Sequence, residues 1–134
     1  MHSKNIHTAG TSLQEANRAL IMLHGRGGEA RDMLELAPYL EVGGYALLAP
    51  QATNNTWYPY SFLAHPQENE PWLTGALNLL DELVHDVKEQ GIDQKNIYLL
   101  GFSQGACLTL EFAARHATRY GGLVALPGGL IGDQ

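Results

Sequence analysis

The chain has little cysteine, little positive charge and no long apolar run. Its 134 residues include one cysteine, and eight Lys and Arg stand against fourteen Asp and Glu. Each shortage removes a class of protein. The lone Cys107 excludes an internal disulfide, and its place four residues after Ser103 in a helical pattern reads as a small buried apolar residue. A net charge of −6, with Lys88, Lys95, Arg115 and Arg119 scattered, argues against a phosphate-binding surface and against nucleic acid as a partner. No run approaches the ~20 residues of a membrane span. The start, Met1-His2-Ser3-Lys4-Asn5-Ile6-His7, has no apolar signal core, so the chain reads as soluble and cytoplasmic. The remainder is ordinary globular composition, 45% apolar and 16% charged, fitting one domain over 1–134 with room for a core.

Apolar residues alternate between two patterns. Ala19-Leu20-Ile21-Met22-Leu23, Tyr45-Ala46-Leu47-Leu48-Ala49, Asn96-Ile97-Tyr98-Leu99-Leu100 and Gly122-Leu123-Val124-Ala125-Leu126 are short runs expected as buried strands. Between them, Met33, Leu34, Leu36, Ala37 and Leu40 recur at helical spacing, with Gly43-Gly44 as the stop. Leu73, Ala76, Leu77, Leu80, Leu83, Val84 and Val87 form one stripe of a helix that opens near Asn69-Glu70-Pro71 and stops at Gly91. A last helix over 104–117 is expected to present Ala106, Cys107, Leu110, Ala113, Ala114 and Ala117. Strands separated by amphipathic helices give an α/β fold: a mostly parallel sheet with helices on both faces. Residues 50–70 form a long loop rich in Asn, Pro and aromatics, a length that in a compact domain usually serves function.

The sharpest chemical signal is Gly101-Phe102-Ser103-Gln104-Gly105. It sits between an apolar strand and a helix, the context that makes a G-x-S-x-G match a nucleophile-elbow expectation. The flanking glycines have a steric reason, because a strand reversing into a helix brings backbones together and strains the apex. A serine hydroxyl is a weak nucleophile and needs a base and a site for the oxyanion it creates. The backbone N–H of Gln104, opening the helix, is one expected oxyanion donor. The Gly-rich turn Leu23-His24-Gly25-Arg26-Gly27-Gly28 after a buried strand supplies the other, assigned to the backbone of Arg26. That turn lacks the Gly-Lys-Ser/Thr ending of a nucleotide loop. The residues call for no cofactor and no metal.

From about residue 19 onward the chain resembles the phospholipase/carboxylesterase family of α/β-hydrolases, which includes acyl-protein thioesterases. The resemblance rests on Leu23-His24-Gly25-Arg26-Gly27-Gly28, on Ala49-Pro50-Gln51-Ala52 with Trp57-Tyr58 soon after, and on Gly101-Phe102-Ser103-Gln104-Gly105-Ala106. It implies Ser103 as nucleophile, the Arg26 and Gln104 amides as oxyanion donors, and a small-molecule ester or thioester with an acyl chain as substrate. It also implies that the 50–70 loop walls an acyl pocket, with Trp57, Tyr58, Tyr60, Phe62 and Leu63 as lining. Independently of the resemblance, the same aromatics could equally anchor the loop on the core.

In this fold the order is nucleophile, acid, histidine, and the second half is not evident. Past Ser103 the only histidine is His116, thirteen positions along the expected helix, which at 1.5 Å per residue is roughly 20 Å away. His24 is expected to brace the oxyanion turn, and His65, in the long loop, is a poor candidate base. Asp133, the only acid after the last expected strand, lacks the family's sequence context. The chain is therefore read as the amino-terminal portion of a longer hydrolase, inactive or nearly so alone. An unpaired parallel edge at its last strand would favour association, a homodimer being one form. The alternative is a non-catalytic α/β-hydrolase-like binding or interaction protein.

Overall fold

The computed structural model describes residues 2, 4–40, 43–59, 69–115 and 120–126. The described residues form five strands: β1 (Ile6–Gly10), β2 (Arg18–Leu23), β3 (Tyr45–Pro50), β4 (Ile97–Phe102) and β5 (Gly122–Leu126). Three helices, α1 (Ala30–Leu34), α2 (Trp72–Glu89) and α3 (Gln104–Arg115), connect or cover them. The sheet order is β1-β3-β2-β4-β5. β1 runs antiparallel to β3, and the other three pairings are parallel.

Strand periodicity divides the core. In β2, Ala19, Ile21 and Leu23 join Ala46 and Leu48 of β3, Ile97 and Leu99 of β4, and the apolar faces of α2 and α3. The intervening Leu20 and Met22, with Leu47, Ala49 and Leu100, face the other way onto Ala30 and Met33 of α1. A strand buried on both faces needs both parities apolar, which explains the continuous runs in β2 and β3. The stripe expected on α2 is buried in full, with Leu79 beside it, each side chain adding roughly 1.5–3 kcal/mol of burial. Gly91, at φ +96°, follows the helix end as expected.

Three expectations need correction. The segment after β2 is not one helix to Gly43: α1 ends at Leu34 and a separate 3-10 turn spans Ala37–Tyr39. Pro38 has no N–H to continue the ladder. The face of α3 keeps Ala106 buried as expected but otherwise differs. Gly105, Ala106, Leu108, Thr109 and Phe112 are buried, whereas Leu110 is 53% exposed and Cys107 is half-buried. β5 forms where expected and, among the described residues, at the expected sheet edge, but it is not buried: Leu123, Val124 and Leu126 are exposed. The strand β1 is an addition, in a segment to which the sequence pattern assigns no element; its only inward contribution is the partly buried Ile6. His116, Ala117 and Asp133 lie outside the described residues, as do Tyr60, Phe62, Leu63 and His65.

Candidate active site

The parallel register brings two turns together. Leu23 pairs with Gly101, so the chain leaves β2 and β4 side by side at their carboxyl ends, the usual place for a site in an open α/β sheet. His24-Gly25-Arg26 leaves β2 there, and Ser103 leaves β4.

Ser103 has φ +58°, a left-handed conformation that costs a non-glycine residue of order 1–3 kcal/mol. Its neighbours hold it there. Its amide donates to the Leu126 carbonyl at 2.8 Å, and its carbonyl accepts from Ala106 at 2.9 Å and Cys107 at 3.2 Å, which starts α3. The flanking glycines have no room for a side chain. A Cβ at Gly101 would overlap the Gly105 carbonyl and stand 2.5 Å from Thr109 Oγ1; one at Gly105 would overlap the Leu23 carbonyl. The start of α3 is thereby pressed onto the end of β2. As the first residue of α3, Gln104 carries one of the amides that a helix's own ladder leaves without an internal partner. Ser103 itself is half-buried.

The turn after β2 passes directly beside this serine. A Cβ at Gly25 would stand 3.1 Å from both Ser103 Cβ and the Phe102 carbonyl. His24 is 1% exposed; its Nε2 accepts from the Ala52 amide at 3.0 Å, and its Nδ1 donates to the Gly25 carbonyl at 2.7 Å. That pattern is the neutral Nδ1–H form, and burial holds the pKa below the ordinary histidine value. With both nitrogens engaged, His24 braces the turn, as expected of it. Gly27 donates to Asn55 at 2.7 Å and Gly28 to Gly25 at 3.0 Å, completing the turn.

The 51–59 segment is tied to both turns by side chains the sequence reading did not single out. Gln51 Oε1 accepts from the Ala30 amide at 2.8 Å, and its Nε2 donates to Asn55 Oδ1 at 2.8 Å. Gln104, 7% exposed, accepts from the Trp57 amide at 2.8 Å and donates to the Tyr58 carbonyl at 2.9 Å. Arg26 Nη1 donates to the Pro59 carbonyl at 2.8 Å. The only signal for these roles was the presence of Gln51 and Gln104 inside motifs that backbone chemistry alone does not require. Trp57 and Tyr58, expected either to line a pocket or to anchor the loop, are 0% and 1% exposed and belong to the main core cluster. Burial pushes the Tyr58 phenol well above its ordinary pKa, and also raises the half-buried Cys107 thiol.

Among the described residues no group of three His, Cys, Asp or Glu could hold a metal ion, and no helix is long and apolar enough to cross a membrane. A groove of about 760 Å³ runs along α2 past His2, Lys4, Asp81, His85 and Lys88. Ser103 does not line it.

Residues 6–134 match the phospholipase/carboxylesterase family description. The chain belongs to that family. Acyl-protein thioesterase 1 of Eremothecium gossypii is 30% identical over 131 residues, covering 86% of this chain and 56% of that protein. The crystal structure of a phospholipase/carboxylesterase from Dyadobacter fermentans superposes with a TM-score of 0.93 at 53% identity, over 99% of this chain and 64% of that one. The Arabidopsis thaliana protein SOBER1 shares the fold at a TM-score of 0.69 and 17% identity, over 82% of this chain and 60% of that one. The architecture is that of α/β-hydrolases. The chain spans between a third and little more than half the length of the curated relatives it matches.

Proposed function

We propose that this chain carries the nucleophile and the oxyanion site of a serine hydrolase acting on carboxylic esters or thioesters. The observation that carries the reading is Ser103 held at φ +58° on the turn from β4 to α3, with the Gly25 backbone against it. In the reaction, Ser103 Oγ bonds to the acyl carbon while its proton passes to a histidine. The carbonyl oxygen becomes an oxyanion between the amides of Arg26 and Gln104. Collapse of the tetrahedral intermediate breaks the bond to the alcohol or thiol, which takes the proton from the histidinium. Water then attacks the acyl-serine by the same route, releasing the carboxylic acid and restoring the serine.

No described histidine has a free nitrogen next to Ser103: His24 uses both of its own on the turn it braces. The reading therefore places the base and its acid beyond residue 134, with 1–134 as the first part of one α/β-hydrolase domain. The coverage supports this, since more than a third of each relative's own length lies outside the match. A protein read through past Gln134 is expected to hydrolyse p-nitrophenyl acetate and an acyl thioester, and Ser103→Ala to remove both activities. The 134-residue chain is expected to retain only the residual catalysis of an oxyanion site without its base.

A second reading, a binding protein that keeps the fold without turnover, is favoured by the same absence of a histidine among the described residues near Ser103. The intact mass of the native protein separates the two: 14.6 kDa supports binding, and a substantially larger mass supports the enzyme.

A further inference from the structure

Trp57 touches both of the turns that meet at Ser103. Its indole N–H donates to the His24 carbonyl at 2.9 Å, on the turn after β2. Its backbone N–H donates to Gln104 Oε1 at 2.8 Å, at the start of α3. The indole stacks on the His24 imidazole, with centroids 5.0 Å apart and planes 26° from parallel. Arg26 and Gln104, whose amides the proposed function assigns to the oxyanion, also grip the same segment with their side chains. Gln104 holds Tyr58 and Arg26 holds Pro59. The two amides belong to different elements, separated by most of the sequence, and these bonds tie their positions through one intermediary.

We infer that Trp57 is a positioning residue that sets the spacing between the turn carrying the Arg26 amide and the turn carrying the Gln104 amide. The inference rests on the proposed function for its purpose, while the coupling is a property of the fold. An oxyanion site needs each donor within a few tenths of an ångström of hydrogen-bond distance from one point, and small misplacements cost orders of magnitude in rate. Two loops without a cross-tie would not hold that tolerance. A fully buried tryptophan with its indole and backbone N–H groups both committed, one to each turn, would.

Backbone amide hydrogen exchange in the 134-residue chain tests this without relying on turnover. Trp57→Phe keeps a ring on His24 and the bond to Gln104 but deletes the indole donor. Gln104→Met deletes the side-chain bonds at the other turn and retains the helix. Each variant is expected to speed exchange on the turn it does not directly touch: Ala106 and Cys107 for Trp57→Phe, and Gly27 and Gly28 for Gln104→Met. The expected acceleration is about tenfold, the equivalent of one hydrogen bond lost, relative to sheet amides such as Leu99. Acceleration confined to the altered turn would overturn the inference. So would equal acceleration throughout the sheet, the signature of plain destabilisation. If Trp57→Phe fails to fold, Gln104→Met alone decides. Because exchange does not involve the serine's chemistry, coupled exchange with an unreactive Ser103 would refute the hydrolase reading and leave this one standing.

Discussion

Gly25 lies close beside Ser103: a Cβ built on the glycine would stand 3.1 Å from the serine's own Cβ. Two turns far apart in sequence thus meet at one point, which is what an oxyanion site shared between them requires. The contact is tight without being an overlap, so a methyl group there would press the turns apart by a few tenths of an ångström. Gly25→Ala is expected to leave the fold intact and to slow acylation of Ser103 in the protein extended past Gln134 about tenfold, since donor geometry is altered and chemistry is not. The rate of labelling by a fluorophosphonate, set beside the urea midpoint, measures both halves of that expectation.

Glycines of the two turns separate space from conformation. At Gly105 a Cβ would overlap the Leu23 carbonyl, and backbone cannot move aside as a side chain can. Gly105→Ala should therefore cost about 3 kcal/mol or more, or prevent folding. Gly27 has φ +81° but nothing within 4 Å of the Cβ position, so Gly27→Ala carries only the left-handed penalty of about 1–2 kcal/mol. Urea midpoints of the two variants should fall in that order.

Stability should fall as pH drops below about 6.5, the ordinary histidine value. Burial lowers the pKa of His24, and of His2 to which Thr53 and Trp57 bond, so the unfolded chain takes up protons that the folded chain refuses. With more protons bound in the unfolded state, the unfolding free energy rises with pH through the window between the lowered folded pKa and 6.5, and levels off above it. Urea midpoints between pH 5 and 8 measure this slope. Replacing His24 by Gln should flatten it, leaving the part due to His2.

On α3 the buried face predicts opposite responses from near neighbours. Leu108 is fully buried, so Leu108→Ala should cost about 2–5 kcal/mol. Leu110, 53% exposed, should accept Lys within about 0.5 kcal/mol. Thermal or urea unfolding of the two variants checks the pair.

That same helix shows how far the sequence could be read. Small apolar residues lie all around α3, so periodicity alone pointed to Ala106, Cys107 and Leu110. What sets its rotation is tertiary: Gly105 must sit on the Leu23 carbonyl, and counting three, four and seven residues on from it reaches Leu108, Thr109 and Phe112. The stripe on α2 had no such ambiguity, and β2, β3 and β4 were legible because burial on both faces demands unbroken apolar runs. β1 was not legible, since an edge strand with one partly buried residue leaves almost no pattern. The site divided in the same way. The motifs located both turns, because glycine there has a backbone reason. The Gln104 and Trp57 cross-links could not be foreseen, since they depend on where the 51–59 segment lies against two distant turns.

The most direct test of the whole account is mass-spectrometric mapping of a fluorophosphonate adduct on the protein extended past Gln134. The account predicts a single modified peptide with the phosphonyl group on Ser103, and no adduct in Ser103→Ala. An adduct on another residue, or labelling at an unchanged rate in Ser103→Ala, would contradict it.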